Sequence, residues 1–144
     1  MLNKVKNFVK PIIFIADCLS NTLTNYMGKK ISILEDDQGI REIVELIFSQ
    51  EDYEVTGFAN VNDFMSRKCN TVPDLFLLDV MLPDGNGLNV CDMLKSEEAT
   101  SNVPVLMMSA HADLITMKNQ CKADGFIAKP FDIDHLINMV KGAI

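Results

Sequence analysis

The chain has 144 residues, a formal net charge of −7 and a hydrophobic content of 48%, which fits one domain with an ordinary core. The acidic balance argues against direct nucleic-acid binding, because that binding needs clustered lysine and arginine side chains to neutralise phosphates. It also predicts that any phosphate chemistry depends on a divalent cation, since acidic side chains alone would repel the phosphate.

Residues 1–28 differ in composition from the rest of the chain. They are rich in Asn, Thr and Lys and contain one apolar patch around residues 12–15. Three lysines precede this patch, an arrangement that weakly resembles an export signal, but Asp17 interrupts the apolar run. No apolar segment of the chain is long enough to span a bilayer. We therefore expect an N-terminal extension of unknown role: an added helix, a partner-docking arm, or sequence translated from an upstream start codon.

Four cysteines occur in the chain, and none of them forms a C-x-x-C pair. Their wide spacing supports neither a metal motif nor a redox motif. We expect free thiols in a reducing compartment, which predicts a cytoplasmic protein with no membrane attachment. The four are Cys18, Cys69, Cys91 and Cys121.

After the extension, short apolar runs alternate with segments of helical periodicity, a pattern typical of buried parallel strands between helices. Five such units with right-handed crossovers predict a doubly wound α/β fold, with a five-stranded parallel sheet and helices on both faces. Residues 81–87 are dense in turn-forming residues and are expected to form a loop. Asp132 is expected to cap the last helix and Gly142 to end it. The predicted strands are residues 30–34, 53–58, 75–79, 105–109 and 125–128, and the predicted helices are residues 38–50, 61–67, 88–96, 113–122 and 133–141.

Polar side chains stand at the carboxyl ends of four predicted strands. Ligands of an open parallel sheet bind outside these ends, so we expect the side chains to meet at one edge of the sheet. Carboxylates, a hydroxyl and an amine together suit a magnesium ion and a phosphoryl group. The set consists of Glu35, Asp36 and Asp37 after the first strand, Asp79 at the end of the third, Ser109 at the end of the fourth, and Lys129 after the fifth.

Four segments, in this order and at this spacing, resemble the receiver domain of response regulators in two-component signalling. The resemblance covers roughly four fifths of the chain and implies a flavodoxin-like fold with strand order 2-1-3-4-5. It assigns residues 29–144 to the receiver domain and leaves residues 1–28 as the extension. The segments read ILEDDQGIRE (33–42), LLDVMLPDGNG (77–87), PVLMMSAH (104–111) and GFIAKPF (125–131).

The resemblance implies a phosphoacceptor switch that takes its phosphoryl group from a histidine kinase or phosphotransfer protein and is read by an output partner. Asp79 is then the phosphoacceptor, and a carboxylate at a strand end is a competent nucleophile for an activated phosphoryl group. Mg²⁺ (or Mn²⁺) would be held by Glu35, Asp36, Asp79 and the main-chain carbonyl of Met81. Glu35 departs from the aspartate that is commoner at this position in the family.

Other roles follow from the same resemblance. Lys129 and Ser109 would contact the phosphoryl group, and the Lys129-Pro130 bond resembles the cis peptide of the family. Ser109 and Phe126 would form the switch pair, although Phe126 lacks the hydroxyl of the tyrosine that is often found there. An ordinary core role for Phe126 is an equal alternative. Met81 and His111 would tune how fast water hydrolyses the acyl phosphate.

Three residues near the motifs are expected to lie outside the site. Asp37 should point to solvent or to the N-terminus of the first helix. Arg41 should be a solvated or salt-bridged residue on the face of that helix. His135 should lie on the surface of the last helix.

Three rival functions are weighed against the switch. A haloacid-dehalogenase-like phosphatase needs a second aspartate two residues after Asp79, where Met81 stands. A flavodoxin-like flavin protein needs a Ser/Thr/Gly-rich phosphate loop after the first strand, where acids stand instead. The third rival is a receiver cut from a larger DNA-binding regulator. A parent of the winged-helix type is disfavoured, because the last helix lacks the arginine-rich pattern of those regulators and Gly125 replaces an acid that is common there. We expect no enzyme beyond catalysis of its own phosphorylation and dephosphorylation.

Overall fold

The structure is a computed structural model that describes residues 28–67, 71–110 and 114–144. All but the last residue of the expected extension lies outside the described residues, as do Cys69, His111 and the expected start of the fourth helix at residue 113. In chain order the elements are β1 (Lys30–Leu34), α1 (Gln38–Gln50), β2 (Glu54–Phe58), α2 (Val61–Met65), β3 (Leu75–Asp79), β4 (Met81–Leu82), β5 (Gly85–Asn86), α3 (Gly87–Ser96), β6 (Val105–Ser109), α4 (Leu114–Lys118), β7 (Gly125–Ala128) and α5 (Ile133–Ala143).

The five longer strands form one parallel sheet in the order β2-β1-β3-β6-β7. When the short strands β4 and β5 are left out of the count, this is the predicted order 2-1-3-4-5, which is therefore confirmed. Strand β3 lies at the centre of the sheet, with β1 on one side and β6 on the other. The carboxyl ends of all three strands open onto the same edge, which is where the site is built.

The core lies in two layers, one on each face of the sheet. Successive side chains of a strand point to opposite faces: Phe76 and Leu78 of β3 join one apolar cluster, and Leu75 and Leu77 join the other. The first cluster includes buried side chains of α2 and α3, and the second includes those of α1 and α5. Because helices cover both faces of the sheet, the central strands consist almost entirely of apolar residues. These continuous apolar runs are the reason the strands could be predicted from the sequence.

Four helices begin at a side chain that accepts a hydrogen bond from a backbone N–H of the first turn. The caps are Asp37 for α1, Asn60 for α2, Asn86 for α3 and Asp132 for α5.

Three helix ends differ from the prediction. Helix α4 ends at Lys118 rather than at residue 122, because the next two backbone N–H groups bond to carbonyls three residues back and form a tight turn. Helix α2 ends at Met65, before the predicted residue 67: the N–H of Ser66 still donates to the carbonyl of Asn62, four residues back, but that of Arg67 donates to Phe64, three residues back. Gly142 does not end α5, since the N–H of Ile144 still donates to the carbonyl of Val140. No helix within the described ranges has the length and apolar character needed to cross a membrane.

The expected loop at residues 81–87 contains a short hairpin. Met81 of β4 pairs with Asn86 of β5, and Leu82 pairs with Gly85, in antiparallel register. Strands of two residues are too short to show a hydrophobic period, so they could not be predicted from the sequence. The hairpin follows Asp79 after a single residue and therefore lies at the edge of the sheet where the site is built.

The two cysteines in the described ranges, Cys91 and Cys121, are buried free thiols, as expected. Burial raises the pKa of Cys91 to about 12, and the neighbouring Cys121 adds to the rise. The Cys91 thiol therefore stays protonated and behaves as a small apolar side chain in the layer beneath α3.

Phe64 provides a test of the layer that α2 covers. Its fully buried ring meets those of Phe58 and Phe76 edge to face, at centroid distances of 5.4 and 5.8 Å. We expect Phe64→Ala to lower the free energy of unfolding by about 3–5 kcal/mol, through lost burial and the cavity that remains. Met65→Ala, at the next position and 40% exposed, should change it by less than about 1 kcal/mol. Urea unfolding measures both values, and equal losses would contradict this account.

Candidate functional site

Three carboxylates from two neighbouring strands meet at the carboxyl edge of the sheet. Glu35 and Asp36 directly follow β1, and Asp79 ends β3, which pairs with β1. One carboxylate oxygen from each of the three lies within 4.8 Å of the others. The strand register thus brings together acids that are more than forty residues apart in the chain.

An amine from the edge strand lies against two of these acids. Lys129 follows β7, and its Nζ lies 2.5 Å from Oε2 of Glu35 and 3.1 Å from Oδ2 of Asp79. The backbone N–H of Lys129 donates to the carbonyl of Ser109 at 2.7 Å, which continues the β6–β7 pairing to the end of the sheet. The Lys129-Pro130 peptide bond is cis. The amine is therefore held between two carboxylates that would otherwise repel each other.

Burial and ion pairing together shift the pKa values of Glu35 and Lys129. Glu35 is 1% and Asp79 5% exposed, whereas Asp36 is exposed. Burial raises the pKa of Glu35, and the charge of Asp79 raises it further, against the lowering effect of the hydrogen bond from Lys129. Burial of the Lys129 ammonium acts to lower its pKa, but the bond to Glu35 and the charges of Glu35 and Asp79 outweigh it and raise the pKa. Lys129 thus remains a cation at neutral pH.

The backbone of the acidic segment is held by α1. Nη1 of Arg41 donates to the carbonyl of Glu35 at 2.7 Å and to that of Asp36 at 3.3 Å. The N–H of Asp37 donates to Oε1 of Glu35, and the Asp37 side chain caps α1 by accepting from the N–H of Ile40. Asp37 therefore takes the helix-terminal position expected for it. Arg41, in contrast, is not only a helix-face residue as expected, because it fixes the segment that carries two of the acids.

The remaining predicted site residues are distributed around this cluster. Ser109 is buried at the end of β6, beside the β7 strand that leads to Lys129. Phe126, in β7, is half-buried and packs against the apolar cluster on the α3 side of the sheet. Met81 lies in β4, and its side chain is 60% exposed. His111 lies in one of the gaps between the described ranges.

Gly87 closes the hairpin against the phosphoacceptor candidate. Its N–H donates to the carbonyl of Val80 at 2.9 Å, and a Cβ at this position would lie 1.9 Å from the main-chain oxygen of Asp79. Only glycine fits this close approach of one backbone to another. From the sequence, Gly87 is one of several turn residues, because no local pattern shows which part of the chain its backbone contacts.

Lys129→Met tests the charge balance of the cluster. Removing one partner of a buried ion pair typically costs about 3–5 kcal/mol, so we expect a loss of that order in the free energy of unfolding at neutral pH without divalent cations. The raised pKa of Glu35 should rise further when the amine is absent.

The pH dependence of this variant has a definite sign. A carboxyl whose pKa is raised in the folded state contributes stability below its unfolded-state pKa and loses it as the pH rises. The gap between wild type and Lys129→Met should therefore narrow as the pH falls from about 7 to about 5. Urea unfolding across this range measures the gap; a gap that widened on acidification would contradict the assignment.

Comparison with known proteins agrees with this geometry. The family model described as "Response regulator receiver domain" matches residues 31–141. The chain is 30% identical over 119 residues to the transcriptional regulatory protein GltR of Pseudomonas aeruginosa, covering 81% of this chain and 49% of GltR. It is 31% identical over 120 residues to the phosphate regulon transcriptional regulatory protein PhoB of Klebsiella pneumoniae, covering 82% of this chain and 52% of PhoB.

Among solved structures, the non-phosphorylated HemR receiver domain from Leptospira biflexa aligns with a TM-score of 0.72 and 26% identity, covering 80% of this chain and 93% of that one. The chain spans about half the length of the two curated relatives. It belongs to the response-regulator receiver domain family of two-component signalling.

Proposed function

We propose that Asp79 of this receiver domain accepts a phosphoryl group from a phosphohistidine on a sensor kinase. The observation that carries the proposal is the cluster of Glu35, Asp36 and Asp79 with the Lys129 amine against two of its members. A buried carboxylate beside a fixed cation is suited to attack an anionic phosphoryl group, because the cation stabilises the charge that the group brings.

The donor set fits a magnesium or manganese ion. Carboxylate oxygens are the ligands that these hard cations prefer, and Glu35, Asp36 and Asp79 each offer one within 4.8 Å of the others. The main-chain carbonyl of Met81, two residues after Asp79, would be the fourth protein ligand. When bound, the ion neutralises charge on the phosphoryl oxygens. Asp36 is the exposed member of the set and leaves a side of the cluster open to the donor.

The proposed transfer uses Asp79, Lys129 and Ser109. A carboxylate oxygen of Asp79 attacks phosphorus, the phosphorus–nitrogen bond of the donor breaks, and its electron pair returns to the imidazole. The product is an acyl phosphate on Asp79. Lys129 then exchanges its contact with Asp79 for a contact with a phosphoryl oxygen, and the hydroxyl of Ser109 donates a hydrogen bond to another. Such charge-assisted bonds are about twice as strong as neutral ones.

These new bonds would shift the chain between two arrangements. Ser109 ends β6, and Lys129 directly follows the adjacent strand β7. If both side chains bind the same phosphoryl group, the ends of the two strands move relative to each other, and the helices that follow them move as well. Moving a population from mostly off to mostly on needs a difference of roughly 5 kcal/mol between the two arrangements. Phe126 would follow the switch by changing its packing, and Met81 and His111 would set how fast water removes the phosphoryl group.

The output of the switch depends on what lies beyond the matched region in related proteins. GltR and PhoB are named as transcriptional regulators and are about twice as long as the matching region, so the reader of the switch is either an attached output domain or a separate protein. With a net charge of −7, this region is proposed not to bind nucleic acid itself. We also propose a cytoplasmic location.

The only reaction that we propose for this chain is its own phosphorylation and dephosphorylation. The family match gives no support to a phosphatase.

The phosphoacceptor is tested by intact mass. Incubation with acetyl phosphate and MgCl₂ should add the mass of one phosphoryl group, because Asp79 is a buried carboxylate at the end of the central strand β3, within reach of Lys129 and of the proposed metal ligands. Asp79→Asn should abolish the adduct. Asp37→Asn is the matched control, since it changes a nearby acid but keeps an oxygen that can cap α1. An adduct that persists in Asp79→Asn, or an unmodified wild type, would rule out the assignment.

The metal ligands are tested by the magnesium dependence of the same reaction. Asp36→Asn should raise the magnesium concentration at half-maximal phosphorylation rate by about tenfold or more, because one carboxylate ligand is lost. Excess EDTA should stop the reaction in every variant. Asp37→Asn again serves as the control and should leave the half-maximal concentration unchanged. If Asp36→Asn and Asp37→Asn behave alike, the pair Glu35 and Asp36 is wrongly chosen.

A further inference from the structure

The hairpin β4–β5 is attached to the rest of the molecule through its turn. Asp84, between the two strands, accepts a hydrogen bond from the N–H of Val61 at 2.8 Å on one carboxylate oxygen and from the N–H of Asn62 at 2.9 Å on the other. These N–H groups belong to the first two residues of α2, more than twenty positions earlier in the chain. Asp84 therefore joins the segment after Asp79 to a helix on one face of the sheet.

This contact is not the ordinary cap of α2. Asn60 already caps the helix by accepting from the N–H of Asp63. The two bonds to Asp84 satisfy further N–H groups that a helix leaves without partners at its start. They also lower the pKa of Asp84, chiefly the bond from Val61 and then the bond from Asn62. Asp84 thus stays ionised at neutral pH and keeps both acceptors.

The neighbouring residue shows how closely the turn is seated. A Cβ at Gly85 would lie 3.1 Å from Cγ2 of Val61, so the backbone of the hairpin rests against the same residue that donates to Asp84. The hairpin itself has only two residue pairs, Met81 with Asn86 and Leu82 with Gly85. So short a ladder is too weak to hold its own position, and the link to α2 supplies an outside support.

We propose that Asp84 is a positioning residue for the metal site: by tying the hairpin to α2, it fixes the backbone carbonyl of Met81 near the acids. The inference rests on the proposed function, in which this carbonyl is a ligand. The side chain of Met81 is 60% exposed, so side-chain packing does not fix this residue. Ligands must be held within about 0.5 Å of their productive geometry, and the support at the hairpin turn provides this.

The experiment compares magnesium affinity in matched variants, by calorimetric titration of the protein with MgCl₂. Asp84→Ala should raise the dissociation constant about tenfold, the lower end of the range for loss of a residue that supports a metal ligand. Asp84→Asn keeps one oxygen acceptor and should fall between Asp84→Ala and wild type. Asn60→Ala removes the ordinary cap of the same helix without touching the hairpin, so it should lose stability but keep wild-type affinity.

Phosphorylation by acetyl phosphate gives the second readout. At saturating magnesium, Asp84→Ala should react at close to the wild-type rate, because Asp79 and Lys129 are unchanged, while its half-maximal magnesium concentration rises. The inference would be overturned if Asp84→Ala bound magnesium as tightly as the wild type, or if Asn60→Ala lost as much magnesium affinity as Asp84→Ala. If the wild type binds magnesium but is not phosphorylated, the proposed function is wrong. The role of Asp84 is then decided by the magnesium affinities of the variants alone.

Discussion

Two carboxylates are buried side by side at the end of the sheet, and the ammonium group of Lys129 lies between them. Burying Glu35 and Asp79 together is unfavourable, because each is removed from water and each repels the other. The amine offsets this cost through a contact with each acid. The arrangement depends on three strands ending at one edge, since Glu35 follows β1, Asp79 ends β3 and Lys129 follows β7.

The supports around this charge cluster are hydrogen bonds between charged side chains and backbone groups. Arg41, in α1, donates to the carbonyls of Glu35 and Asp36, and Asp84, in the hairpin turn, accepts from the first N–H groups of α2. One support therefore comes from each face of the sheet. Each joins a segment at the site to a helix that belongs to one of the two apolar layers. The positions of the proposed metal ligands thus depend on core packing at some distance from the charges.

Most of the sheet could be predicted because each buried strand is a continuous apolar run, and the five predicted strand spans agree with the structure to within one residue. The convergence of Glu35, Asp79 and Lys129 follows from the geometry of parallel strands and needed no further information. The hairpin β4–β5 could not be predicted, because two-residue strands show no period. Arg41 and Asp84 were missed for a different reason: their partners are backbone groups, which have no signature in the sequence.

The strand order has a mechanical consequence. Asp79 ends β3, which is hydrogen-bonded along both edges, whereas β7, which Lys129 follows, has a strand partner on only one edge of the described sheet. In the proposed switch, a charge added at Asp79 would act on a strand that is held along both edges, so we expect a smaller displacement on the β1 side than towards β7. The centre of the sheet would then take up the modification, and its β7 margin would show most of the change in shape.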